Sequence, residues 1–141
     1  MATLTPTLTL TSSDISSSEQ LNLTLTDSLT VDGPVETKRL AIDSTATNLF
    51  VTNKILLAAN YSKSYTLLYN TSLAASGEII TVGVPVASTG DDDEDLLATG
   101  WQVSLAPGEW AFFPWESDVD IAADASSGTP ILEIRIFQNL A

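Results

Sequence analysis

Leucine and threonine take turns along two stretches of this chain, and that alternation constrains the fold more than any other feature. Leu4, Leu8 and Leu10 alternate with Thr5, Thr7, Thr9 and Thr11. Leu21, Leu23, Leu25, Leu29 and Val31 share one parity, with Asn22, Thr24, Thr26 and Ser28 on the other. A period of two is the period of a strand, whose successive side chains point to opposite faces. Threonine is β-branched and favours the extended backbone while presenting a hydroxyl to water. Both stretches are predicted as strands with one buried face each.

The same period recurs downstream. Thr11–Gln20, rich in serine and acid, reads as a loop, and Asp32-Gly33-Pro34 as a turn. Short strands are predicted around Leu40 and Ile42 and around Leu49 and Val51. Ile55–Ala59 fits a buried strand or a helical turn equally. Tyr65, Leu67 and Tyr69 mark a strand, as do Ile80, Val82, Val84 and Val86. Pro85 has no N–H to donate and places that strand at an edge or ends it. Trp101, Val103 and Leu105 lead into Ala106-Pro107-Gly108-Glu109. There Pro107 and Gly108 suit the second and third positions of a type II turn, and a hairpin into Trp110–Phe113 is expected. Ile121, Ala123 and Ala125 form another strand. Leu132, Ile134 and Ile136 form the last, with Glu133 and Arg135 outward. No stretch of helical length carries a 3.6 period. The predicted fold is all-β: an antiparallel β-sandwich of jelly-roll type with eight to ten short strands. Residues 1–20 are read as an N-terminal arm or edge strand, and residues 21–141 as a single sandwich domain.

A chain of 141 residues buries enough surface to fold without a disulfide or metal. It has no cysteine and no histidine, which removes the thiolate nucleophile, the thiolate metal site, the commonest general base and the commonest zinc ligand. The net charge is −13, from 18 acidic and 5 basic residues. Lys38 and Arg39 are the one adjacent basic pair, so no stripe exists to neutralise phosphates, and an anionic membrane surface would repel the chain. Neither nucleic acid nor membrane is an expected partner. No positively charged segment precedes an apolar run near Met1, so no secretory leader is expected.

Three clusters invite a chemical reading. Asp91, Asp93 and Asp95, within the run Asp91–Asp95, match the start of a calcium loop. Leu96 then stands where the loop needs glycine, and Gln102 where it needs glutamate, so a solvated loop tip is the preferred reading. Trp101, Trp110 and Trp115 lie near Glu109, Glu116 and Asp118, an assortment that sugar sites use. A carboxylate pair could also serve a glycosidase. Core or interface packing explains the tryptophans better. Ser62-Lys63-Ser64 is read as a polar turn, since a serine–lysine pair needs a buried lysine. No catalytic residue and no cofactor is expected.

The segments Tyr65–Asn70, Ile79–Gly83, Val103–Glu109, Trp110–Trp115, Asp120–Ala125 and Gly128–Ile134 follow one another in an order that resembles small β-sandwich virion proteins of tailed bacteriophages, cyanophage-like ones above all. The resemblance covers about half the chain. It implies a non-enzymatic structural protein made in the host cytoplasm and carried on the exterior of the virion. The role it implies is capsid decoration or cement on the shell of major capsid protein, as a homo-oligomer with a trimer favoured. Leu4, Leu8 and Leu10 in the arm and Trp101, Trp110 and Trp115 are the expected interface residues, the arm extending a neighbour's sheet by strand addition. The alternative is a tail component or receptor-binding module that recognises host-surface carbohydrate.

Overall fold

The computed structural model describes residues 2–13, 21–32, 35–44, 47–50, 61–84, 101–115 and 121–140. They form two compact units, which meet in sequence between Asp32 and Gly33. The first unit contains β1 (Ala2–Leu4), β2 (Thr7–Ser12), β3 (Leu21–Thr26) and β4 (Leu29–Val31). Ala2 lies opposite Val31, Leu4 opposite Leu29, Thr7 opposite Thr26 and Ser12 opposite Leu21, in one unbroken antiparallel register. The Asp27 N–H donates to the Pro6 carbonyl at 3.1 Å and bridges the gap between the two ladders. β1 with β2 and β3 with β4 are therefore the two arms of one long ribbon.

That register corrects the sequence reading in two respects. Residues 21–32, assigned to the sandwich, pair instead with residues 2–12. The leucine face, expected to be buried, is buried at Leu29 and Val31 and half-buried at Leu4 and Leu21, while Leu8, Leu10, Leu23 and Leu25 are exposed. A two-stranded ribbon has no second layer of its own, so an apolar side remains in water unless something else covers it.

The second unit holds β5 (Val35–Ala41), β6 (Thr47–Phe50), β7 (Tyr61–Asn70), β8 (Ile80–Gly83), β9 (Gln102–Leu105), β10 (Trp110–Trp115), β11 (Ile121–Ala125) and β12 (Ile131–Leu140). They form two four-stranded antiparallel sheets, ordered β10-β7-β12-β5 and β6-β11-β8-β9. The pairing is nested: β5 with β12, β6 with β11, β7 with β10, and β8 with β9. Between the sheets lies a core of Ile42, Leu68, Ile80, Val82, Leu105, Ile121, Ala123, Ala125, Leu132, Ile134 and Ile136. Its members follow the alternation. Even positions of β12 and β8 face inward, and so do the odd positions of β11, which meet a facing sheet across the ~10 Å that separates layers in a sandwich.

The Pro-Gly turn forms as predicted, but not the hairpin. The Glu109 N–H donates to the Ala106 carbonyl at 2.9 Å, Gly108 has φ 81°, and the Glu109 Oε2 accepts from the Ala106 N–H at 2.8 Å. Yet β9 pairs with β8 and β10 with β7, so the chain crosses here from one sheet to the other. A tight turn dictates a change of direction. The core-facing side chains on either side, Leu105 and Ala111, dictate which sheets the strands join. Gly108→Ala forces a side chain into a left-handed position and is expected to cost about 1 kcal/mol in urea unfolding.

Candidate interaction surfaces

The sheet β10-β7-β12-β5 has an outer face built from three cross-strand rows. Trp110, Tyr69, Glu133 and Arg39 form the first, Phe112, Leu67, Arg135 and Thr37 the second, and Pro114, Tyr65, Phe137 and Val35 the third. The outer face of an antiparallel sheet is ordinarily polar. Here most positions are apolar or aromatic; Trp110 is 59% exposed, Val35 54% and Tyr69 38%, whereas Leu67, Phe112 and Phe137 are half-buried and Tyr65 is buried. Tyr65 and Phe112 stack at 5.5 Å between ring centroids, and Phe112 meets Phe137 edge-on at 6.5 Å. In the middle of this face the Glu133 carboxylate takes the Arg135 guanidinium at 2.6 Å and lies 3.9 Å from the Arg39 Nε. The outer face of the other sheet carries Thr81, Gln102, Ser104 and Asp124, with small Ala122 and Gly83. The contrast between the two outer faces is one of chemistry, since both belong to the same sandwich.

The ribbon supplies a second apolar surface. Leu8 lies opposite Leu25 and Leu10 opposite Leu23, so four exposed leucines share one side, continued by Leu4. The opposite side is threonine: Thr7 opposite Thr26 and Thr9 opposite Thr24, with the Thr7 and Thr26 hydroxyls 3.4 Å apart.

The three tryptophans do not converge. Trp101 packs against Phe113 at 4.9 Å and Trp115 at 5.7 Å, while Trp110 projects from the opposite side of β10. The rings of the Trp101 cluster are inclined by 52° to 72° and lie against one another, with Trp101 itself 43% exposed. Phe113 and Trp115 also pack on the core. Glu109 is tied to the turn, and Glu116 and Asp118 lie outside the described residues, as do Asp91, Asp93 and Asp95. Among the described residues no cluster of acidic side chains is arranged to hold a metal ion. Ser62-Lys63-Ser64, read as a turn, belongs to β7. Lys63 lies opposite Asn139 and Ser64 opposite Gln138, because the long partner strand β12 extends the ladder through a polar segment.

Gln138 escaped the sequence reading. It occupies a core-facing position of β12, is fully buried, and among the described residues neither its Oε1 nor its Nε2 has a partner. An unsatisfied buried amide costs roughly 1–3 kcal/mol. Gln138→Leu is therefore expected to raise stability by about 1–2 kcal/mol in denaturant unfolding. A loss of stability would mean that the amide is satisfied in solution.

No protein-family model and no curated protein matches this chain. Among solved structures it is similar to a protein of Bacillus endospore appendages, which form a family of disulfide-linked pili, at 14% identity and a TM-score of 0.50. The match covers 77% of this chain and 87% of that one. It is a likeness of fold.

Proposed function

We propose that this chain is a non-enzymatic structural subunit that assembles with copies of itself through its apolar β faces. One observation carries the reading: both units leave apolar side chains in water, Leu8, Leu10, Leu23 and Leu25 on the ribbon and Trp110, Tyr69 and Val35 on the outer side of the sandwich. Contiguous exposed apolar patches of this kind mark association surfaces. The nested strand pairing supports the jelly-roll form of the sandwich, a fold widely used in shells and assemblies. The likeness to a pilus protein is in keeping with an assembled subunit. This chain has no cysteine, so its own assembly would be held without disulfides. The resemblance to virion proteins offers a particle surface as the setting, with the same subunit chemistry.

Sedimentation velocity from about 1 to 100 µM, the span where modest interfaces form, tests the proposal. Concentration-dependent species larger than the monomer are expected, and electron microscopy then separates filaments from closed rings. A monomer throughout would remove self-assembly. Binding of that monomer to phage shells lacking their decoration protein would support the capsid role instead.

A further inference from the structure

We propose that the leucine side of the ribbon docks, head to tail, on the aromatic outer side of β10-β7-β12-β5 in a second copy of the chain. The inference rests on the assembly reading above and names its contact. The two surfaces match in kind: Leu4, Leu8, Leu10, Leu23 and Leu25 on the ribbon, and the Trp110, Phe112 and Phe137 rows on the sheet. In width they are compatible. The ribbon register runs from Ala2 to Ser12, about 37 Å at strand rise, and a two-stranded ribbon is about 10 Å wide. It fits within the roughly 19 Å breadth of a four-stranded sheet.

Charge favours this pairing over the symmetrical ones. The ribbon arms contain no Lys or Arg and carry Asp27 between Leu25 and Leu29. Among the described residues, the outer face of the sheet carries Arg39 and Arg135 against Glu133, a positive spot in a chain of net charge −13. Ribbon on ribbon sets acid against acid, and sheet on sheet sets arginine against arginine. Ribbon on sheet sets Asp27, which also accepts from the Ser28 N–H, on the side of the guanidinium groups, whose side chains are 62% and 50% exposed. The strand-addition geometry expected from the sequence is disfavoured at β5, because Lys38 lies opposite Ile134 on the inward side and such inward charges block edge pairing. Face-to-face packing needs no free edge. The ribbon footprint is about 350–400 Å², half of the ~800 Å² per partner in a standard interface, so each contact is weak and repetition along a chain of subunits supplies the strength.

Because the interface is heterologous, two defective variants should rescue each other. One carries Leu8→Thr with Leu25→Thr, which keeps β-forming residues in the ribbon. The other carries Trp110→Thr, at a position exposed enough to leave the sandwich intact. Circular dichroism and denaturant unfolding confirm that both fold. In sedimentation velocity each variant alone is expected to associate at least about tenfold more weakly than the parent. Mixed, they should form a one-to-one pair through the one intact ribbon and the one intact sheet face. Association lost with the ribbon variant but kept with Trp110→Thr would indicate ribbon-on-ribbon contact and overturn the inference. Association kept by both would overturn it while leaving self-assembly standing. A parent chain that never associates would fail both readings.

Discussion

Asn70→Ala is expected to lower the stability of the sandwich by about 2–4 kcal/mol in urea or thermal unfolding. Asn70 is the last residue of β7 and is fully buried. Its Nδ2 donates to the Glu78 carbonyl at 2.9 Å and to the Leu105 carbonyl at 3.0 Å, while its Oδ1 accepts from the Ser72 N–H at 3.1 Å. Its backbone N–H donates to the Glu109 carbonyl at 3.0 Å and its carbonyl accepts from the Gly108 N–H at 2.9 Å. One residue thus ties the end of one sheet to β9 of the other and to the turn that crosses between them. Alanine keeps the backbone bonds and strands the two carbonyls and the Ser72 N–H. Asn70→Asp should cost at least as much, because a carboxylate oxygen would face those two carbonyls in place of the donating amide. A loss below about 1 kcal/mol for both variants would show that water replaces the amide and that the tie is dispensable.

Ile134→Ala should cost about 3–4 kcal/mol by the same measurement. Ile134 is 1% exposed on β12, which lies between β7 and β5, and it faces Leu68 across the ladder. A strand held on both sides cannot shift to fill the space, so the cost combines lost burial with a cavity. Against an unfolding free energy of about 5–15 kcal/mol this is a large share. Leu25→Ala, on the ribbon, is the control: its side chain is 55% exposed, and less than about 0.5 kcal/mol is expected. If the two variants cost the same, the division between packed sandwich and exposed ribbon would be wrong.

The period of two carried most of the fold. It placed the strands at Tyr65–Tyr69, Ile80–Val82, Ile121–Ala125 and Leu132–Ile136, and it set the inward parity of β12 with Glu133 and Arg135 outside. It could not say what lies opposite a strand. The leucines of the ribbon and those of the core have the same pattern, and only long-range pairing decides that Leu132 meets a second sheet while Leu25 meets water. The Ala106–Glu109 turn was legible as a turn, whereas its role as a crossing between sheets depends on partners far away in sequence. The aromatic outer face was missed for a related reason. β10 is apolar on both parities, Trp110 and Phe112 on one and Phe113 and Trp115 on the other, so its sequence alone does not announce a second sticky side. Gln138 was invisible because a glutamine near the end of a strand is usually solvated.

The nested order of pairing sets a timetable for folding. β5 cannot be completed until β12 arrives, since Val35 waits for Phe137, and loops that long close slowly relative to local contacts. The ribbon needs only neighbours in sequence, and a hairpin of its kind forms in roughly microseconds. A newly made chain therefore displays its leucine side well before the sandwich exists. Until the sandwich closes, the net charge of −13 on the completed chain is the guard that holds neighbouring copies apart.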